Sequence, residues 1–204
     1  MCLPRIAILI SGTGTNMETL VKACISGELH ANVSFVGSDR LSAKGLETAR
    51  ALGIPTRVFF YKRDGRKSAE EAISQAIQET NTDWIILAGF MRILSPAFVR
   101  RFAGRIINIH PALLPHFPGA HAIKDAWEAG VKSTGVTVHL VDEEVDHGPI
   151  LAQAIVEIKK TDTMETLESR IHETEHKIYP ETLKDFFDKH PVNTDKWEDK
   201  DNGN

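Results

Sequence analysis

Two polar residues, Asn108 and His110, lie at the end of a short and mainly apolar run, Arg105–Ile109. If that run is a strand, side chains two positions apart point to the same face, so the carboxamide and the imidazole lie side by side. Such a pair can polarise a carbonyl group and stabilise the oxyanion that forms when a nucleophile attacks it. The same two residues would also suit the simpler role of polar caps at a strand end.

An acidic segment offers a carboxylate that could act with this pair. Residues 142–146 contain four acids in five positions, a composition that is most often just a solvated loop. Asp146, however, lies shortly before the turn formed by Gly148 and Pro149, and it could point inward against a histidine. A carboxylate in that position would raise the pKa of the imidazole and fix its tautomer. The spacing alone leaves both interpretations open.

A glycine turn, Ser11–Asn16, follows the apolar run Arg5–Ile10 and precedes a helical pattern. Gly12 and Gly14 leave backbone N–H groups uncovered, and the N-terminus of the helix adds further donors and a partial positive charge. These features favour the binding of a phosphate group. A P-loop is excluded, because the sequence Gly-Lys-Ser/Thr is absent from the turn.

Two other interpretations of the turn stay open. A dinucleotide-binding turn would have a third glycine where Met17 stands, although Asp39 lies about where a ribose-binding acid is expected. The turn could also be purely structural.

The remaining histidines and the two cysteines give little support for a metal or a covalent nucleophile. His172 and His176 have the i, i+4 spacing of zinc ligands, but the His-Glu-x-x-His sequence is missing. Cys2 and Cys24 form neither a disulfide framework nor a metal spacing, and no serine lies in a Gly-x-Ser-x-Gly turn. We therefore predict no metal and no covalent intermediate.

Short apolar runs alternate with amphipathic segments along the chain, which is the order found in α/β proteins. Continuous apolar runs predict strands that are buried on both faces, as in a parallel sheet. The predicted fold is therefore a doubly wound, mostly parallel, Rossmann-like sheet with helices on both faces, a late antiparallel strand and a long C-terminal helix. The predicted strands are Arg5–Ile10, Asn32–Val36, Trp84–Ala88, Arg105–Ile109, Thr134–Val141 and Ile150–Ile158.

Capping residues predict where the helices begin. Thr15 and Glu18 have the three-residue spacing of a capping box at the start of the first helix, and Asp162 and Glu165 repeat it at the start of the long helix. Pro180 predicts a kink or a new start within the long helix. Two further helical segments are predicted over Ala43–Leu52 and around Ala69–Ile77.

The composition predicts one globular domain. The chain has 204 residues, of which 42% are hydrophobic and 25% charged, and this length is sufficient for a full core. We expect a single domain over 1–189 and a polar tail over 190–204. The formal net charge of −4 argues against nucleic acid as a partner, because phosphate groups bind basic surfaces. The start has no signal-peptide pattern and no apolar run is long enough for a bilayer, so we expect a cytoplasmic protein without a membrane partner.

Four segments of the sequence occur together and in a fixed order: Ser11–Asn16, Leu87–Leu94, Asn108–Pro115 and Gly135–Pro149. With them, the chain resembles the phosphoribosylglycinamide formyltransferase family, the folate-dependent enzymes of purine synthesis, from about Arg5 to Leu183. The resemblance implies the formyltransferase fold. It also implies transfer of a formyl group from the co-substrate 10-formyltetrahydrofolate to the amine of glycinamide ribonucleotide, with no metal.

The resemblance also implies roles for particular residues. Asn108, His110 and Asp146 would form the catalytic set. Glu175 in the late helix would contact the glycinamide end of the substrate, and either Arg66 or Lys67 would contact a ligand before the third helix. The substrate phosphate would be bound by Gly12, Gly14, Thr15 and Asn16, and the folate by Met91, Arg92, Ile93 and Leu94 together with Asn108.

The chain departs from the usual family pattern at two positions. Ala112 stands where a serine is usual, and His147 stands where a small residue is usual. Neither belongs to the catalytic set, but His147 is adjacent to Asp146 and could alter the titration of that carboxyl.

Related activities give alternative functions. Formyltetrahydrofolate hydrolase has an additional N-terminal regulatory domain, and methionyl-tRNA formyltransferase has an additional C-terminal RNA-binding domain. The length and the negative net charge of this chain favour a small-molecule acceptor over both. A nucleotide-binding module without catalysis, in which Asn108 and His110 are only caps, is the alternative from a different class. We expect small-molecule substrates and either a monomer or a homodimer.

Overall fold

The computed structural model describes residues 3–191. Its strands are β1 (Arg5–Ile10), β2 (Asn32–Ser38), β3 (Thr56–Val58), β4 (Trp84–Leu87), β5 (Ile106–His110), β6 (Ser133–Leu140) and β7 (Ile150–Glu157). Its helices are α1 (Thr15–Ser26), α2 (Lys44–Ala51), α3 (Tyr61–Glu79), α4 (Pro96–Arg101), α5 (Ala122–Glu128) and α6 (Met164–Lys189). The strands form one sheet in the order β3-β2-β1-β4-β5-β6-β7.

The sheet is doubly wound. The chain builds outward from β1 through β2 and β3, and then crosses to the other side of β1 to form β4 and β5, with every pair parallel. β6 runs opposite to both of its neighbours, β5 and β7. The predicted fold class, including the late antiparallel strand and the long C-terminal helix, is confirmed. The change of direction creates a switch point between β1 and β4, and ligands of such sheets bind beyond the carboxyl ends of the strands there.

The central strand β1 is buried on both faces, as its continuous apolar run predicts. Ile6, Ile8 and Ile10 pack in one core cluster together with residues of α1, α2 and α6. Ala7 and Leu9 point the other way and pack with residues of α3 and α4. Alternate side chains along the strand therefore belong to different layers, and helices cover both faces of the sheet.

Three elements were not predicted: β3, α4 and α5. They are only 3, 6 and 7 residues long, which is too short to display a periodic apolar pattern. For α4 the sequence does carry a local signal. Ser95 accepts a hydrogen bond from the backbone N–H of Phe98 at 3.2 Å, and Pro96 occupies the first helical turn, which are both preferences of helix N-termini.

Two predicted N-caps and the new helix start predicted as one of two outcomes at Pro180 were wrong. The N-cap of α1 is Gly14 rather than Thr15, and it has no side-chain cap, because this helix end packs closely against another backbone. The N-cap of α6 is Thr163, which forms a capping box with Thr166 rather than an Asp162–Glu165 cap. α6 also continues through Pro180 without a new start. Proline removes one helical hydrogen bond, and the buried face of α6, which includes Leu167, Ile171 and Leu183, keeps the helix against the sheet.

Within the described residues, no helix is both long and apolar enough to span a membrane. Most of the predicted polar tail, 192–204, lies outside the described residues. The boundary of the predicted domain at 189 coincides with the end of α6, and its extent as a single domain stays a prediction.

Candidate active site

The turn after β1 and the loop after β4 are joined at the carboxyl edge of the sheet. The backbone N–H of Ser11 donates to the carbonyl of Gly89 at 3.0 Å, and the Ser11 hydroxyl accepts from the N–H of Met91 at 2.8 Å. β5 lies next to β4 with its strand in the same direction. The glycine turn, the 89–94 loop and the end of β5 therefore face the same region, as the sequence predicted for a parallel sheet.

The structure brings Asn108, His110 and Asp146 together. Asp146 Oδ1 lies 3.5 Å from Asn108 Nδ2, and Asp146 Oδ2 lies 3.5 Å from His110 Nδ1. The side chains of His110 and Asp146 are only 5% and 11% exposed. The contact between Asp146 and a histidine, which the spacing left open, is therefore present, and His110 is the nearer of two histidines, since His139 Nε2 lies 3.7 Å from Asp146 Oδ1.

The second ring nitrogen of His110 is also engaged. His110 Nε2 lies 2.8 Å from the carbonyl oxygen of Phe117. A carbonyl oxygen only accepts, so Nε2 carries the proton in this contact. Nδ1 then faces the carboxylate of Asp146.

His139 belongs to this cluster although the sequence analysis did not single it out. It lies opposite Asn108 in the β5–β6 register, and its Nε2 is 3.2 Å from Asn108 Nδ2. His139 Nδ1 donates to the carbonyl of Leu140 at 2.9 Å, so Nε2 is free to accept from the amide. Only the antiparallel register reveals this partner, because His139 carries no motif of its own.

Burial favours the neutral form of His139. It lowers the pKa of His139 below its usual value, and this effect exceeds the opposing influence of the Leu140 carbonyl and of the Asp146 charge. A neutral imidazole that accepts at Nε2 fixes which end of the Asn108 amide points toward it. The amide nitrogen of Asn108 is therefore oriented toward His139 and Asp146.

The loop that carries Asp146 has an unusual backbone. Asp146 adopts a φ of 53°, a left-handed conformation that aspartate tolerates better than most residues. Its Oδ2 accepts a hydrogen bond from the backbone N–H of Gly119 at 2.8 Å. At Gly148, a Cβ atom would overlap the carbonyl oxygen of Leu140, so the sharp turn after Asp146 requires glycine.

A second polar cluster lies at the start of α1. Asn16 Nδ2 donates to Glu175 Oε2 at 3.0 Å, and Oε2 also lies 2.8 Å from His172 Nδ1. Asn16 Oδ1 is buried, and no hydrogen-bond partner for it occurs among residues 3–191. Two residues predicted to bind the substrate, Asn16 and Glu175, thus contact each other across 159 positions of sequence. The hydrogen bond with Glu175 raises the pKa of His172 more than burial lowers it.

The remaining residues of the predicted phosphate site lie around the same turn. Gly12 and Thr15 are exposed, and a Cβ added to Gly12 would meet no atom within 4 Å. Gly14 is buried with a φ of 75°. The backbone of the turn is therefore open on the side of Gly12, whereas Gly14 belongs to the packed base of the turn.

The predicted folate segment has two exposed and two enclosed side chains. Met91 and Ile93 are 58% and 62% exposed, whereas Leu94 is 8% exposed and packs in the core cluster beside α3 and α4. The Arg92 guanidinium binds Asp39, with Nε 2.6 Å from Oδ2. The Asp39 side chain is fully buried, so it is not placed to accept a hydrogen bond from a ribose hydroxyl. The acidic residue that a dinucleotide site would need is therefore not available at this position.

Arg66 and Lys67 are both exposed on α3, just after Gly65 interrupts the helical backbone with a φ of 79°. Burial raises the pKa of Tyr61 well above its usual value, and the charges of Arg66 and Arg92 oppose that shift. The ring of Tyr61 packs edge-on against Phe90 at 5.9 Å between centroids, which places Tyr61 beside the 89–94 loop.

Residues 3–191 contain no group of three or more His, Cys, Asp or Glu side chains that could hold a metal ion. His172 is paired with Glu175, and the Nε2 of His176 is buried without a hydrogen-bond partner in this part of the chain.

With this geometry in view, comparison with known proteins identifies the family. A sequence model described as formyl transferase matches residues 4–183. The chain belongs to the formyl transferase family.

Relatives and solved structures agree with this assignment. This formyl transferase is 45% identical over 183 residues to the phosphoribosylglycinamide formyltransferase of Haemophilus influenzae, which covers 89% of the chain and 86% of that relative. A crystal structure of phosphoribosylglycinamide formyltransferase from Bacillus halodurans superposes with a TM-score of 0.88 at 42% identity, covering 91% of this chain and 96% of that one.

A longer relative is equally similar in sequence. The trifunctional purine biosynthetic protein adenosine-3 of Gallus gallus is 47% identical over 180 residues, which cover 88% of this formyl transferase. The match spans only 18% of that relative. The similarity therefore concerns one part of the trifunctional protein.

Proposed function

We propose that this formyl transferase moves the formyl group of 10-formyltetrahydrofolate onto the amine of 5'-phosphoribosylglycinamide, a step of purine biosynthesis. The observation that carries the proposal is the contact of Asn108, His110 and Asp146 at the carboxyl edge of the sheet, beside an open glycine turn. The family supplies the formyl chemistry, and the Haemophilus influenzae relative, of which the match covers 86%, carries the name of this activity.

In the proposed reaction the amine attacks the formyl carbon and a negative charge develops on the formyl oxygen. Asn108 Nδ2–H and a protonated His110 would stabilise that oxyanion after the formyl group displaces a present partner of each, Asp146 from the amide and the Phe117 carbonyl from the imidazole. A single donor of this kind is worth about 3–4 kcal/mol of barrier. The bond from the formyl carbon to N10 of the folate then breaks, while the new carbon–nitrogen bond to the amine remains. The proton lost by the amine ends on N10.

Asp146 would act on both stages of this reaction. Its carboxylate, 3.5 Å from His110 Nδ1, would favour the charged imidazolium. It would also accept the proton of the attacking amine, directly or through water, before that proton reaches N10.

Binding would be divided between the two polar regions around the reacting atoms. The turn over Gly12, Gly14, Thr15 and Asn16 would hold the phosphate through its backbone N–H groups. Glu175, held by Asn16 and His172, would contact the glycinamide end. The folate would lie along the 91–94 segment together with Asn108, and either Arg66 or Lys67, both exposed on α3, would contact it.

The decisive experiment follows the loss of the formyl group from 10-formyltetrahydrofolate by absorbance, with and without 5'-phosphoribosylglycinamide. We expect turnover only with the ribonucleotide and a formylated product in equal amount. Equal turnover without it, with release of formate, would assign a hydrolase. Absence of turnover in both cases, with binding of either substrate retained, would favour a module that binds without catalysis.

A further inference from the structure

The loop between β6 and β7 contains an ion pair that closes it on itself. His147 Nδ1 lies 2.9 Å from Asp142 Oδ2, and Asp142 Oδ1 accepts the backbone N–H of Glu144 at 3.0 Å. The carboxylate at the first position of the segment 142–147 therefore contacts both the backbone of Glu144 and the side chain of His147 at the last position. His147 is also one of the two positions where this chain differs from the usual family pattern, which has a small residue there.

This closure acts on the backbone next to the proposed catalytic carboxylate. Asp146 directly precedes His147 and has a φ of 53°, a conformation that persists only when its surroundings hold it. On its other side, Asp146 is fixed through its side chain by the Gly119 N–H at 2.8 Å. The His147 contact supplies the corresponding restraint on the side of the main chain.

We propose that His147 is a positioning residue for Asp146. The His147–Asp142 pair, called the clamp below, holds the Asp146 carboxylate against His110. The effect on turnover rests on the proposed function, whereas the clamp itself can be tested without any activity.

The charges around the clamp give it a pH dependence. The hydrogen bond to Asp142 and the charges of Glu144 and Asp142 raise the pKa of His147 above its usual value. For Asp142, partial burial raises the pKa, but the bonds from His147 and from the Glu144 N–H, together with the charges of His147 and His139, hold it below its usual value.

Other charged groups near the loop are already engaged elsewhere. Glu143 pairs with Arg100 of α4 at 2.5 Å, and Asp146 faces His110 and His139. The charged form of the clamp therefore needs an ionised Asp142 and a protonated His147. It is complete between the lowered pKa of Asp142 and the usual pKa of histidine, and it weakens as pH rises through the raised pKa of His147.

The first test uses NMR of the whole chain between pH 5 and 9. The amide of Gly119 reports on Asp146, because it donates to Oδ2. We expect its chemical shift to contain a component that follows the titration of the His147 imidazole. That component should disappear in His147→Gln and in Asp142→Asn, and Asp142→Asn should lower the midpoint of His147. A Gly119 titration that is the same in the parent and in His147→Gln would overturn the proposal.

The second test measures kcat and KM over the same pH range. His147→Ala should lower kcat about two- to fivefold at pH 6, the range expected from losing one exposed ion pair, with KM for both substrates unchanged. The deficit should shrink toward pH 9, and His147→Gln, which retains a donor, should restore part of kcat without the pH dependence.

A matched control removes an exposed ion pair that lies outside the loop. Lys124 pairs with Glu128 at 3.6 Å on the surface of α5, and Lys124→Ala should leave the pH profile unchanged. An equal loss of kcat at all pH values in His147→Ala, not restored by Gln, would assign His147 a purely structural role. If the enzyme assay fails altogether, the NMR result still decides whether the clamp exists.

Discussion

Four groups surround the carboxylate of Asp146: His110, His139, the amide nitrogen of Asn108 and the N–H of Gly119. His139 Nδ1 donates to the Leu140 carbonyl, and burial lowers the pKa of His139 although the charge of Asp146 opposes that shift. His110 Nδ1 lies 3.5 Å from Asp146 Oδ2, and His139 Nε2 lies 3.7 Å from Asp146 Oδ1. The two histidines therefore meet opposite oxygens of one carboxylate through different ring nitrogens.

We expect Asp146→Asn to lower kcat about 10²- to 10⁴-fold, the usual contribution of a general acid–base group. The amide keeps the shape of the side chain but removes the charge that supports a protonated His110 in the proposed mechanism. Substrate affinity, measured by calorimetry, should change little. Asp125→Asn on the exposed surface of α5 is the matched control, and loss of binding together with turnover in Asp146→Asn would contradict the assigned role.

His139 should make the stability of the protein depend on pH. Its pKa is lowered on folding, so the unfolded chain binds a proton more readily than the folded one below the usual histidine pKa. The free energy of unfolding should therefore fall as pH decreases from about 6.5, the usual histidine value. Urea unfolding of the parent and of His139→Gln at pH 5 and 7.5 tests this, since the variant should lack that part of the decrease. An equal decrease in both proteins would show that His139 is not its source.

At the scale of elements, the start of α1 depends on a close approach of two glycines. A Cβ at Gly14 would lie 3.0 Å from the Cα of Gly45 in α2, and the backbone N–H of Gly45 donates to the carbonyl of Gly12 at 3.1 Å. The glycine turn is thereby packed against α2, and its shape is set by that contact as well as by its own sequence.

We expect Gly14→Ala to destabilise the protein by more than the roughly 1–2 kcal/mol that a left-handed backbone costs an ordinary residue. Gly27 is the matched control, because it has a similar φ of 81° at the other end of α1 but open space around its Cα. Gly27→Ala should show the backbone cost alone. Equal losses in urea unfolding would contradict a role for the Gly14–Gly45 contact.

At the scale of the whole molecule, α6 is joined to the centre of the sheet by one buried phenol. The Tyr179 hydroxyl lies 2.9 Å from the carbonyl oxygen of Leu87 in β4 and 3.2 Å from that of Ile107 in β5. Tyr179 is 1% exposed. One helical turn earlier, Glu175 reaches Asn16, so the same helix connects the sheet to the proposed substrate site.

Tyr179→Phe should lower the free energy of unfolding by about 1–2 kcal/mol, because a buried hydrogen bond is lost without a change in packing. We also expect a higher KM for the ribonucleotide with an unchanged KM for the folate, since only the helix carrying Glu175 is loosened. Unfolding in urea and steady-state kinetics measure the two effects. A uniform change of both KM values would argue against this coupling.

Local sequence patterns were sufficient for part of this architecture. The continuous run in β1 predicted burial on both faces, and the two-residue spacing of Asn108 and His110 predicted a shared face. Both depend on the period of a strand, which is a property of neighbouring residues. Local patterns failed at the N-caps of α1 and α6. At α1, packing of Gly14 against α2 decided the boundary, and at α6 the Thr163–Thr166 capping box did so.

The sequence by itself determined the fold class, the strands around the site and the candidate residues, because apolar periodicity, glycine turns and motif order are all read along the chain. Only the tertiary structure decided which of these residues meet. The contact of Asp146 with His110, the pairing of His139 with Asn108, and the 159-residue separation bridged by Asn16 and Glu175 arise from strand register and helix packing. Strand register and helix packing form only when the whole chain folds, because the core sets the relative positions of the segments that each contact joins.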